Sequence, residues 1–188
     1  MKLISTEELK LVLDKEECND NTLLELIIGY VSSRFETYLS RNLKQEERTK
    51  YFNAGKSLFY LPAYPIVNSG LVIPEVYLND TLYSVDSYYV WEEKGLIEFN
   101  SVIGRSKPKE IKIIWTGGYL ETSGVLAVPD DLKMACALQS TLIFRRRSDI
   151  GLSGTKVGAG NISINTPIKF LPEVESILKL YRALPSQE

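Results

Sequence analysis

The stretch LIFRRRSDIGLSGTKVGAGN, from Leu142 to Asn161, holds the side chains of this sequence best suited to chemistry. Arg145, Arg146 and Arg147 end an apolar run, and a glycine-rich segment carrying Lys156 follows them. Such a pattern could grip nucleic-acid phosphates, cradle a nucleotide, or mark a helix that runs into an arm. The nucleotide reading requires a strand, then GxxxxGK with Ser or Thr, then a helix. Here Thr155 rather than glycine precedes Lys156, and the segment before it reads as a helix, so spacing and context both fail. At a helix C-terminus each arginine is favoured by roughly 0.3–1 kcal/mol. Three successive helical positions fan over about 200° of surface, so they cannot all enter one groove. Helix-end and subunit-interface roles therefore come first for Arg145–Arg147, DNA or phosphate contact second, and simple solvation third. Further along, NISIN alternates Ile162 and Ile164 with polar residues. Such a strip can add a strand to another protein's sheet edge, or pair with the chain's own β region.

Other chemistry is narrowed by composition. The 188 residues include no histidine, which removes Ser-His-Asp and Cys-His catalysis and histidine-ligated metal sites. Adjacent carboxylates occur at Glu7-Glu8, Glu16-Glu17, Glu46-Glu47, Glu92-Glu93 and Asp130-Asp131, but neighbours in sequence do not converge on a helix and most sit at helix starts or hairpin loops. Cys18 and Cys136 form no CxxC pair, so a disulfide framework or zinc site is not expected, and both read as reduced thiols of a cytosol-made protein. No catalytic, metal or cofactor site is expected. A net charge of −2 argues against a protein that coats DNA through phosphate contacts. Eleven tyrosines could stack single-stranded bases, although in a β-rich region tyrosine more commonly suits a half-wet pleated face. Apolar residues make up 44%, enough to bury a core, with no run near the roughly 20 residues of a membrane span. The start, MKLISTEELKLVLDKEE, turns acidic too early for a secretory signal.

The elements that would position these residues follow from periodicity. Ser5 or Thr6 caps a first short helix, with Glu7 and Glu8 at its positive end. A second, longer helix carries Leu24, Ile27, Ile28, Val31, Phe35, Tyr38 and Leu39 on one stripe and fades near Asn42. From about Arg48 to Tyr119 the pattern changes to short runs of tyrosine, valine and isoleucine. SLFYLPAYPIV suits an edge strand or extended linker. EVYLNDTLYSV reads as two strands around Asn79-Asp80, and YYVWEEKGLIEF as a hairpin with Gly95 at positive φ. KEIKIIWTGGY is a strand stopped by Gly117-Gly118. Helical pattern returns at VPDDLKMACALQSTLIFRRR, with Leu132, Ala135, Cys136, Gln139, Leu142 and Ile143 on one face, and again from Pro172 with Val174, Ile177, Leu178 and Tyr181. The expected fold is α+β: a small bundle of about four helices with an inserted, mostly antiparallel β-rich sub-domain. The helical core is discontinuous (1–46 plus 126–188), the insertion spans 47–125, and 150–171 forms a flexible arm.

The order of these landmarks closely resembles that of the head–tail connector (adaptor, or head-completion) proteins of tailed bacteriophages and their prophage relatives. FETYLSRNL ends a helix, LFYLPAYPIV follows, IKIIWTGGY closes the β region, and VPDDLKMACALQ opens a helix. Arg41, Pro65, Gly118-Tyr119, Pro129 and Ala135 fall on the positions that recur in that pattern. The resemblance implies a structural virion protein at the head–tail junction, made in the bacterial cytoplasm and without catalysis or cofactor. It implies a ring, commonly dodecameric, beneath the portal protein, extending the DNA channel and offering a platform to the next tail-side connector or stopper protein. Genome DNA would pass through without sequence-specific binding, and no membrane is involved. Arg145, Arg146, Arg147, Lys156, Ile162 and Ile164 are the candidate subunit or portal contacts. A tail-completion or terminator protein is the nearer rival, and a DNA-binding module using Arg145–Arg147 the more distant one.

Overall fold

The computed structural model describes residues 1–13, 20–104, 110–120, 126–147 and 169–182, and the backbone alone of 155–157 and 160–162. The chain divides into two compact units. One comprises Met1–Tyr38 with Pro129–Tyr181, and the other is built on Leu39–Val128.

The first unit is helical. Helix α1 (Thr6–Val12) begins at a capping box, in which the Glu8 N–H donates to Ser5 Oγ at 3.1 Å and the Ser5 N–H donates to Glu8 Oε2 at 2.7 Å. Two donors that a helix start leaves open are thereby satisfied reciprocally. Helix α2 (Asn21–Leu39) buries Leu24, Ile27, Ile28, Val31 and Phe35, the stripe its spacing predicts. It stops before Asn42 because Ser40 turns to φ +53, outside helical geometry. Helix α3 (Asp130–Arg145) packs against α1 and against α4 (Pro172–Tyr181). Its buried face is wider than the periodic expectation. Leu142 is half-buried, whereas Ala137, Ser140 and Phe144 are buried as well.

The second unit is a pair of antiparallel sheets. Strands β1 (Glu46–Phe52), β7 (Ile111–Gly117), β3 (Glu75–Leu78) and β4 (Thr81–Leu82) form one, in the order β1-β7-β3-β4. Strands β2 (Lys56–Tyr60), β6 (Leu96–Ile103) and β5 (Tyr88–Trp91) form the other, in the order β2-β6-β5. Both contribute to one core: Ile111, Ile113 and Trp115 alternate inward from β7, and meet Phe59, Ile97 and Phe99 of the second sheet. The rings of Phe52 and Phe59 meet edge-on at 5.4 Å, joining β1 to β2 across the core. The two predicted turns are present, with Asn79 and Asp80 at φ +49 and +61 and Gly95 at φ +64. Together the units make an α+β fold of four helices and antiparallel sheets.

One crossing closes the β unit. The segment Leu61–Val67 runs over the end of β7, where Ile66 bridges Gly117 and the Gly118 N–H donates to the Pro65 carbonyl at 2.9 Å. The Trp115 indole N–H donates to the Ala63 carbonyl at 3.0 Å. Arg41 is buried, its guanidinium carbon 3.3 Å from the Tyr64 ring centroid and 5.4 Å from that of Tyr119, and it donates to the Tyr64 carbonyl. The Tyr119 N–H in turn donates to the Leu43 carbonyl at 2.6 Å. Gly117 and Gly118 do not stop β7 by being unstructured. Gly117 is its last paired residue, opposite Glu46, and both glycines admit backbone where a Cβ would stand. A Cβ on Gly117 would lie 2.3 Å from the Ala63 carbonyl oxygen, and one on Gly118, at φ +113, 2.5 Å from that of Lys44.

Gly118→Ala combines a left-handed backbone with a backbone clash and should lower unfolding free energy by about 2–3 kcal/mol. Gly29→Ala in α2, where a Cβ meets nothing within 4 Å, should raise it by about 0.5–1 kcal/mol. Urea unfolding followed by circular dichroism measures both.

Candidate interaction surfaces

The three arginines sit where the sequence places them, at the end of α3. Arg145 is its last residue and exposed, and Arg146 is the C-cap, with its N–H donating to the Leu142 carbonyl at 3.1 Å. Arg147 folds back on the helix. One guanidinium nitrogen donates to the Phe144 carbonyl at 2.7 Å, and the guanidinium carbon lies 3.8 Å from the Phe144 ring centroid. A carbonyl left open by the helix end is thus satisfied by a cation that also favours the negative end of the dipole. Arg147 is engaged locally, which counts against a three-arginine phosphate grip.

The other candidate residues lie in the arm. Strands β8 (Thr155–Val157) and β9 (Gly160–Ile162) pair as an antiparallel hairpin, with Lys156 opposite Asn161 and Ile162 opposite Thr155. The partner of β9 is therefore β8, and neither belongs to the two sheets of the β unit. Ile164 lies outside the described residues, so the structure brings only part of NISIN into view.

Where the arm returns to the helical unit it is clamped by a residue whose spacing showed only burial. Gln139, fully buried on α3, donates from Nε2 to the Lys169 carbonyl at 3.3 Å and accepts the Leu171 N–H on Oε1 at 3.0 Å. One amide thus satisfies both polarities of the incoming backbone. Phe170, between them, meets Phe35 and Tyr38 edge-on at 5.5 and 5.4 Å, with the Arg34 guanidinium carbon 4.7 Å from its ring centroid. A glutamine in an otherwise apolar helical face was the available sign of such a clamp.

Cys136, on the same buried face, is 3.9 Å from Ser32 Oγ and 4.0 Å from Ser140 Oγ. Burial pushes its thiol up to about 11, against two hydroxyl contacts that pull the other way. Such a group remains a thiol at neutral pH and is no nucleophile there. Cys18 lies outside the described residues.

The positions that carry the sequence resemblance have structural work. Arg41, Pro65, Gly118 and Tyr119 meet in the crossing that closes the β unit, Pro129 is the N-cap residue of α3, and Ala135 is fully buried on it. The family model described as "Head completion protein" matches residues 2–184. The chain belongs to the head completion protein family. As such it is a structural head–tail connector protein, and the tail-terminator and DNA-binding alternatives are not favoured. Solved structures share its fold. A chain in the neck of an empty GTA particle, computed with C6 symmetry, is 15% identical over 89% of this chain and 81% of its own, with a TM-score of 0.55. A chain of the virion of the native gene transfer agent (GTA) particle is 13% identical, covers 97% and 90%, and has a TM-score of 0.59. A chain in the neck of the native GTA particle, computed with C12 symmetry, is 15% identical, covers 95% and 90%, and has a TM-score of 0.56. No curated protein matches this head completion protein.

Two outcomes are expected. Gln139→Leu leaves the Lys169 carbonyl and Leu171 N–H of the head completion protein without their partner, lowering stability by about 1–3 kcal/mol. Limited proteolysis should then cut near Phe170 sooner than in the parent chain. For Cys136 the folded thiol titrates higher than the unfolded one, so its contribution to stability is complete below about pH 9 and lost as pH rises towards about 11. The parent chain should therefore lose more stability than Cys136→Ala across that window, as thermal melts at stepped pH would show.

Proposed function

We propose that copies of this chain assemble into a ring at the head–tail junction, dock beneath the portal protein, extend the DNA channel and present a platform to the next tail-side protein. The family match over nearly the whole chain carries this reading. The particles that contain similar folds are necks, computed with C6 and C12 symmetry, and this supports a ring, with twelve copies the natural number. Closed cyclic symmetry needs one surface of each copy to meet a different surface of the next.

In this reading the protein transforms no substrate. Its buried Cys136 is held as an unreactive thiol, and Arg147 is occupied by the end of its own helix. Genome DNA passes through the channel without sequence-specific contact, as suits a chain with a net charge of −2 rather than a basic excess. Arg145, Arg146, Lys156, Ile162 and Ile164 meet the portal or the neighbouring copy. The clamp at Gln139 fixes one end of the arm to the helical unit, so contact made along the arm is transmitted to a rigid element.

Deleting Gly151–Thr166 should leave the thermal melt of the chain close to that of the parent while abolishing co-sedimentation with portal-bearing heads. A deleted chain that still joins heads at the parental level overturns the role of the arm. A parent chain that co-sediments with tail tubes instead of heads overturns its placement beneath the portal. Filter binding to DNA should show only a shallow dependence on salt, since a steep slope reports many phosphate contacts.

A further inference from the structure

Two surfaces of the β unit are left over by the fold, and they are opposites in shape and charge. One is a tip. Ser69 and Val72 exchange backbone hydrogen bonds, each N–H to the other's carbonyl at 3.1 Å, and the turn between them projects Leu71, which at 104% relative exposure stands wholly in solvent. Val72 and Ile73 beside it are also exposed, so three consecutive apolar side chains face water. The root of the tip carries carboxylates: Asn68 Nδ2 donates to Glu92 Oε1 at 3.2 Å, and Glu75, just beyond Ile73 in the chain, is exposed.

The other is a groove of about 710 Å³ between β1 and β2. Each of those strands is the edge of its sheet among the described residues. Tyr51, Leu58, Tyr60 and Val102 give the groove an apolar part beside the polar Asn53 and Ser57, and its charged residues are Lys50 and Lys56, with no carboxylate among those that line it. Apolar meets apolar, and Lys50 meets a glutamate, if the tip of one copy enters the groove of another.

Their placement fits that meeting. Strand β1 pairs with one side of β7 along its whole length, Glu46 opposite Gly117 to Phe52 opposite Ile111. Ile66 also bridges Gly117, and the Val67 N–H donates to the Thr116 carbonyl at 2.8 Å, so this segment lies on the other side of β7, the side of β3. The tip leaves the sheet there, and Glu92 follows β5, the edge of the second sheet opposite β2. Tip and groove therefore occupy opposite flanks of the same sandwich. A knob on one flank and a socket on the other make a head-to-tail contact, which generates a ring when its rotation closes. An apolar patch of this kind on a free chain otherwise remains a site for uncontrolled association.

We infer that the Leu71–Ile73 tip of one copy seats in the β1–β2 groove of the next, and that this contact joins neighbours in the ring. The inference rests on the ring reading above and adds to it the two surfaces that meet.

A mixing experiment tests it with the full chain, by native mass spectrometry in concentrated solution and by mass analysis of copies bound to portal-bearing heads. Leu71→Asp removes the knob and K50E/V102E the socket, all at positions the fold leaves partly or largely in solvent. Unchanged thermal melts verify folding, and Tyr51→Glu replaces the socket variant if its melt falls. Each variant alone should associate about tenfold or more weakly than the parent. An equal mixture should yield a one-to-one pair that grows no further, because only one intact knob and one intact socket can meet. If the parent associates and either variant associates as well as it does, the inference is overturned while the ring stands. It is overturned in the same way if the variants stay single and their mixture forms no pair. A parent chain that never associates with itself, in solution or on heads, overturns the ring reading and this contact with it.

Discussion

The packing of Arg41 on Tyr64, with the Trp115 indole donating to the carbonyl between Ala63 and Tyr64, is the interaction on which the β unit turns. It joins the Arg41–Leu43 stretch through which the chain arrives, the Leu61–Val67 segment that crosses the sheet end, and the Gly118-Tyr119 stretch through which the chain leaves. A buried guanidinium demands acceptors and a polarisable face, and this one has a backbone carbonyl and a tyrosine ring. The close approach of three backbones also explains why glycine occupies 117 and 118, where any Cβ would fall on a carbonyl oxygen. Entry and exit are thereby tied at one place, as an inserted unit needs if its ends are to be returned to a single helical core.

The helical unit solves a related problem with neutral groups. Its core carries Ser32, Cys136, Gln139 and Ser140 alongside leucine and isoleucine, and these polar side chains are not isolated. Ser32 Oγ accepts the Leu3 N–H at 3.1 Å, tying the chain start to α2, and Gln139 holds the segment that enters α4. Each such bond contributes modestly when made and costs more when broken, because a buried donor or acceptor is then left alone. Polar residues here specify where irregular segments attach, while apolar contact supplies most of the stabilisation.

For a connector this division is useful. A protein that joins copies and partners by surface fit needs rigid units whose edges are defined, and segments that adapt on docking. The sandwich offers the first, with an apolar tip and a lysine-flanked groove on opposite flanks. The β8–β9 hairpin is a small paired unit of its own, and Gln139 holds the backbone of Lys169 and Leu171 to α3. An isolated two-stranded ribbon is marginal in water, so a hairpin of three paired positions is suited to acquiring further partners.

Much of the fold was legible from spacing alone. The α2 stripe, the Ser5 cap, the turns at Asn79-Asp80 and Gly95, the alternation of Ile111, Ile113 and Trp115, and the helix start after Pro129 are local signals. Helix period, cap chemistry and strand alternation are set within a few residues, so the sequence by itself determined the four helices, strands β2–β7, the α+β class and, through their order, the family, but not β1, whose EERTKYF has little apolar alternation. What tertiary structure decided was pairing. That β1 takes β7 as its partner, that Ile66 bridges Gly117, that Arg41 finds Tyr64, and that β9 pairs with β8 depend on contacts between residues distant or freely spaced in the chain, which no local period encodes. The same limit hid the tip and the groove: only the sheet order places SGLVI and NAGKSLFY on opposite flanks. Local sterics and burial can be read from the chain in order; which surfaces remain uncovered emerges only after every strand has taken its neighbour.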